Sequence, residues 1–139
     1  MAGARLAATL IALDTNVLVR LITGDDAAQA QRAQRLLDAE PVYISLLALL
    51  QCEWVLRSRY GFAPWQTAAA LRVLLALPSV TAERSEWALW ALDRHERSAG
   101  LADMLLLVAA MGRQRFATFD KGLAVEAGDR PPLPIELLA

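Results

Sequence analysis

Apolar positions come in short blocks along the chain, and the blocks stop abruptly. Leu10-Ile11-Ala12-Leu13 is apolar on both strand faces, ends on Asp14, passes through Thr15-Asn16 and resumes as Val17-Leu18-Val19. A run that is apolar on both faces and polar at its end reads as a buried parallel strand handing over to a helix. That helix is predicted from Asn16 to about Thr23, where Gly24-Asp25-Asp26 breaks it. Residues 27–39 are rich in alanine and straight-chain polar side chains, with Asp25 or Asp26 as the cap, and predict a second, amphipathic helix.

Pro41 introduces a short strand over 42–44, and Ser45 caps a helix from Leu46 to about Arg59, with Gly61 at its C-cap. Residues 65–77 predict a helix stopped by Pro78, residues 80–82 a strand, and residues 85–94 a helix with Trp87 and Trp90 on a core face. The most apolar helix is expected over 101–113. Residues 116–119 read as a strand ending on Asp120, and residues 133–135 as an edge strand. Strand and helix alternate, which argues an α/β fold with a mainly parallel sheet. No repeat or linker interrupts it, so residues 1–139 read as a single domain, with about 1–9 as a tail.

Composition narrows the function. The 139 residues carry a net charge of −1, so no overall basic footprint marks a nucleic-acid partner, and such contacts must come from local arginines. At 56% hydrophobic residues the chain is apolar, which predicts extensive burial or a surface meant for a partner. No stretch reaches the roughly 18 apolar residues of a membrane span. The start is too weak for a signal peptide. The one cysteine, Cys52, excludes an internal disulfide framework and a cysteine-rich zinc site, and fits the reducing cytoplasm.

The candidate chemistry is acidic. Two predicted strands end on Asp14 and Asp120, and Asp103 lies near the start of an otherwise apolar helix. Taken singly, Asp103 reads as a cap or first-turn acid, and Asp120 as a turn residue before Lys121-Gly122. Taken together they differ, because parallel topology brings strand ends and helix N-termini to one edge, where ligands of open α/β sheets sit. Converging carboxylates repel unless a cation neutralises them, and oxygen-only ligation suits Mg²⁺ or Mn²⁺. Such a metal polarises a phosphodiester and activates water.

Four segments carry a resemblance: Leu13-Asp-Thr-Asn-Val-Leu-Val-Arg20, Trp54-Val-Leu-Arg-Ser-Arg-Tyr-Gly-Phe62, Leu101-Ala-Asp-Met-Leu105 and Ala117-Thr-Phe-Asp-Lys121. In this order and spacing the chain resembles the PIN-domain family, and within it the VapC-type toxins of bacterial toxin–antitoxin pairs. The resemblance implies a three-layer α/β/α fold and a metal-dependent endoribonuclease with Mg²⁺, or Mn²⁺ in its place. It also implies a homodimer and a small VapB-like antitoxin that blocks the site. Asp14, Asp103 and Asp120 would be the metal ligands, with Asn16 and Thr118 around them. Helix one, helix two and the 46–56 face would carry an apolar groove for an antitoxin helix.

The chain departs from that family at one acid. Gln51 stands where a glutamate usually lies, three residues before Trp54. Its carbonyl oxygen can approach a metal or its water, but a neutral amide is no general base. Glu53 does not replace it, because two helical residues lie about 200° apart. Leu47, Leu50, Gln51 and Trp54 form the stripe expected to face the core, while Glu53 aligns with Arg57 as a surface ion pair. Two functions therefore stay open: a working or attenuated nuclease, or a silent fold kept for antitoxin, dimer or RNA binding.

The remaining candidates are weaker. Asp14-Thr15-Asn16 resembles a phosphatase pattern, but Asn16 occupies the second aspartate's place. His95 lies in the charge run Asp93-Arg94-His95-Glu96-Arg97 and reads as a surface residue, and Cys52 as packing. Asn16 as an N-cap and Thr118 as a packed strand residue weigh equally with roles at the site. Arg20, Arg59, Arg113 and Arg115 are the arginines to consider for RNA phosphates, with Arg57 already claimed by Glu53.

Overall fold

The computed structural model describes residues 9–139, so the expected amino-terminal tail lies, apart from Thr9, outside the described residues. The chain runs β1 (Ile11–Ala12), α1 (Thr15–Thr23), α2 (Ala27–Ala39), β2 (Val42–Ile44), α3 (Leu46–Tyr60), α4 (Pro64–Leu75), β3 (Val80–Ala82), α5 (Ser85–Glu96), α6 (Leu101–Ala109), β4 (Phe116–Thr118), α7 (Leu123–Ala127) and β5 (Ile135–Leu137). The α/β class read from the alternation is the one observed. Strands β1, β2 and β3 form a parallel sheet in that order, with Val42 level with Ile11 and Val80. Strands β4 and β5 form a second parallel pair, with Phe116 opposite Ile135.

Each strand hands over to its helix through a local cap. Asp14 accepts from the Thr15 amide, Asp26 from the Gln29 amide, and Ser45 from the Ala48 amide. A second acceptor reaches α3 from afar, because the Glu83 carboxylate beyond β3 takes the Leu46 amide at 3.0 Å. Each bond satisfies an amide that has no partner inside its helix. Gly61 closes α3 with φ 68°, the left-handed conformation expected of a C-cap glycine.

The core is one cluster, built from Leu18, Val42, Ile44, Leu49, Leu56, Leu92, Met104 and Leu107 among others. Helix α3 sits at its middle, packing against α1, α4 and α6. Its orientation reverses the sequence expectation. Leu47 and Trp54 are 62% and 52% exposed and Gln51 is exposed, whereas Leu49, Cys52, Glu53 and Leu56 face the core. The reason lies in the five consecutive apolar residues 46–50, which make the helix apolar on every side and leave its phase undefined by hydrophobicity. The alternative stripe Leu49-Cys52-Glu53-Leu56 has the same i, i+3, i+4, i+7 spacing, and it is the one that is buried.

Smaller differences have local causes. The expected first strand shrinks to two residues, both exposed, because β1 lies at the outer margin of its three-stranded sheet; burial begins at Leu13. Helix α6 stops at Ala109 rather than near Arg113, where turn bonds and Gly112 at φ 85° redirect the chain. Strand β5 lies two residues beyond its expected position, and the five-residue α7 was not legible in the hydrophobic pattern. Trp87 and Trp90 are half-buried rather than core, packed edge to face with ring centres 5.5 Å apart.

The turn after α5 stores backbone strain. Ser98 has φ 80° at the end of α5, where its amide donates to His95 O and the Ala99 amide to Arg94 O. A residue with a β-carbon pays roughly 1–2 kcal/mol in the left-handed region. Glycine avoids this but loses about 0.5–1 kcal/mol of unfolded-state freedom. Ser98→Gly is therefore expected to raise Tm by about 2–4 °C, read by circular dichroism; a lower Tm would show that the Ser98 turn is not strained.

Candidate active site

The site begins where β1 ends. Asp14 is exposed and serves as the N-cap of α1, its Oδ1 accepting from the Thr15 amide at 2.8 Å. This corrects the alternative that Asn16 caps the helix: Asn16 lies in the first turn, exposed, beside a groove between α1 and α2. Thr15 is buried, and its hydroxyl donates to Gln51 Oε1 at 2.7 Å. That bond spans 36 positions of sequence and ties the end of β1 to α3.

The other two aspartates come from separate elements. Asp103 lies in the first turn of α6, half-buried, and its carboxylate has no hydrogen-bond or ion-pair partner among the described residues. A β-carbon at position 100 would stand 3.4 Å from its Oδ2, so Gly100 lies directly against this carboxylate. Asp120 follows β4 and forms a turn, its Oδ1 accepting from the Gly122 amide at 2.8 Å. Thr118, half-buried, accepts from the Asp120 amide at 3.0 Å and so fixes the turn that carries the acid.

None of these three carboxylates makes an ion pair among the described residues. Their donor type, oxygen alone with no arginine or lysine competing, fits a hard divalent cation. Among the described residues, however, no three His, Cys, Asp or Glu side chains gather closely enough to hold a metal ion.

A cleft of about 750 Å³ opens beside this edge. Thr15, Gln51, Glu53, Trp54, His95 and Gly100 are among the residues lining it. It therefore reaches the chain immediately next to Asp14, and through Gly100 the approach to Asp103.

Two residues there overturn the sequence expectation. Glu53 does pair with Arg57, Nε to Oε1 at 3.0 Å, but the carboxylate is buried rather than at the surface, the residue being 5% exposed. His95 is equally buried, its Nδ1 2.8 Å from Ala99 O and its Nε2 4.0 Å from Glu53 Oε1. The signal for His95 was present: Ala88, Ala91, Leu92 and His95 share one face of α5, inside the charge run that obscured it. Glu53 had its own signal in the stripe with Leu49, Cys52 and Leu56. The acid Glu83, which caps α3, had none in local sequence.

The arginines divide. Arg20 is held by Gln29 and Asp25, and Arg115 pairs with Glu136 at 3.1 Å. Arg59 and Arg113 are exposed without partners among the described residues. Asp25 also accepts from the Tyr60 hydroxyl, and this bond, ahead of the Thr23 and Arg20 contacts, holds its carboxyl below the ordinary range.

Residues 11–127 match the PIN domain family. The chain belongs to that family. No curated protein matches it. PIN domains are generally nucleases, typically dependent on divalent metals, and the acid-bearing strand edge of this PIN domain lies within the matched region.

Cys52 sits behind this site as packing, as expected. Burial, and then the neighbouring Glu53 charge, push its thiol up to about 12. Because the folded value exceeds the unfolded one of about 8.5, the unfolded chain binds fewer protons above that pH. Stability should fall as pH rises from about 9 towards 12, and less steeply in Cys52→Ala. Iodoacetamide at pH 8 is expected to leave the native thiol intact and to alkylate it in urea. Rapid native alkylation would contradict the burial.

Proposed function

We propose that this PIN domain is an endoribonuclease dependent on Mg²⁺, with Mn²⁺ as a substitute, and the toxin of a toxin–antitoxin pair. The observation that carries the reading is the set of three carboxylates, Asp14, Asp103 and Asp120, without a cationic partner among the described residues in a member of a nuclease family. Asp14, Asp103 and Asp120, which do not gather as a set of three in this structure, would have to draw together to hold the metal, which when bound would supply Lewis acidity and a water of lowered pKa. The protein's own part is positional. The Thr15–Gln51 bond sets α3 against the end of β1, Thr118 fixes the Asp120 turn, and Gly100 lies against Asp103. Arg59 and Arg113, whose side chains have no partner among the described residues, are the groups proposed to meet RNA phosphates, and neutralising those phosphates makes binding salt-dependent; Asn16 is proposed to orient a water or a carboxylate.

The same reading includes a homodimer, a VapB-like antitoxin and a cytoplasmic setting. The apolar groove between α3 and α6, bordered by exposed Leu47 and Leu106, supports an antitoxin helix as occupant. No helix among the described residues is long and apolar enough to cross a membrane.

One observation favours a second reading. Gln51 stands at the fourth-acid position, and its carbonyl oxygen is already engaged by Thr15. Without a carboxylate there, the fold would serve binding alone. Cleavage of a structured RNA in Mg²⁺ and Mn²⁺ separates the two. The nuclease reading expects wild-type cleavage that falls at least about 100-fold in Asp14→Asn, and an increase in Gln51→Glu. An inert wild type with an active Gln51→Glu establishes the silent fold. Equal rates for wild type and Asp14→Asn would overturn the metal-nuclease reading.

A further inference from the structure

The cleft contains acceptor groups that the metal reading does not use. Glu53 Oε1 is engaged by Arg57, but Oε2 has no partner. No buried side-chain nitrogen or oxygen among the described residues lacks a hydrogen-bond partner, so an unpartnered Oε2 opens onto the cleft that Glu53 lines. The same holds for His95 Nε2, since Glu53 Oε1, at 4.0 Å, is too distant for a hydrogen bond. The tautomer follows from chemistry. Ala99 O only accepts, so Nδ1 carries the proton, and in the neutral ring Nε2 is an acceptor.

A carboxylate on a buried residue, with one oxygen lacking a partner among the described residues, thus faces a largely apolar cleft that Arg57 also lines, beside a second acceptor. A ligand that displaces water from it must return N–H donors, since a carboxylate oxygen buried without one is costly. The cleft, at about 750 Å³, has the size of a small-molecule site. Trp54, 52% exposed at its wall, offers an aromatic face for stacking.

We propose that this cleft is a nucleobase subsite that takes an unpaired guanine of the RNA. Guanine places N1–H and the N2 amino group side by side, two donors for Glu53 Oε2, with His95 Nε2 as the further acceptor beside it. Uracil offers a single N–H between two carbonyls, which face these acceptors unfavourably. Trp54 stacks on the base. This inference rests on the nuclease reading for its substrate class, yet its test needs neither metal nor cleavage.

Guanosine 5′-monophosphate and uridine 5′-monophosphate titrated into metal-free protein, followed by ¹H–¹⁵N NMR, supply that test. The guanine nucleotide is expected to bind at least about tenfold more tightly than the uracil nucleotide. Glu53→Gln, of the same shape, should erase the preference, and Trp54→Ala, which alters an exposed side chain, should weaken both nucleotides about tenfold. Equal affinity for the two nucleotides, no binding, or an unchanged preference in Glu53→Gln would overturn the subsite. Guanine preference in a protein that cuts no RNA would keep the subsite while the nuclease reading falls. RNA cleavage without guanine preference would do the reverse.

Discussion

Parallel pairing is the constraint on which the rest depends. With β1, β2 and β3 running the same way, the residues that follow each strand are forced onto one edge: Asp14, Ser45 and Glu83 in turn. Each is polar, and each accepts a helix amide, Asp14 from Thr15, Ser45 from Ala48 and Glu83 from Leu46. The edge therefore concentrates acceptors and negative charge before any ligand is considered. Glu83 also raises the Tyr43 phenol, after burial as the larger cause, so the charge is felt across neighbouring strands.

Helix α3 converts the edge into a cleft. One side of it meets Thr15 through Gln51, and another carries Glu53 towards α5. Burying Glu53 is costly, and the cost is offset by Arg57 on the same helix, while the His95 ring packs 4.0 Å away. His95 in turn holds the Ala99 carbonyl in the turn that leads into α6 and Asp103. A buried carboxylate thus links the helix bearing Gln51 to the turn before Asp103. The Ser98 strain lies in that same turn, which suits a segment held in place by its surroundings.

Much of the fold was legible because its punctuation is local. Ser45, Gly61 and the Gly24-Asp25-Asp26 break each act within one turn of chain, and the elements they bound appear where expected. The phase of α3 was not legible, because a helix apolar all round gives no moment to read. That one ambiguity displaced Glu53 to the surface on paper and hid its meeting with His95, 42 residues away. Asp14, Asp103 and Asp120 were legible as acids at element ends, since strand-to-helix handovers mark themselves. Whether three such carboxylates close on one ion depends on positions of tenths of a nanometre, which no spacing in sequence encodes.

Binding of Mn²⁺, followed by electron paramagnetic resonance on the protein alone, tests the central claim most directly. The account predicts saturable binding by the wild type that is lost in Asp103→Asn, whose carboxylate has no other partner to serve. Mn²⁺ binding that is absent in the wild type, or that is the same in Asp103→Asn, would contradict it.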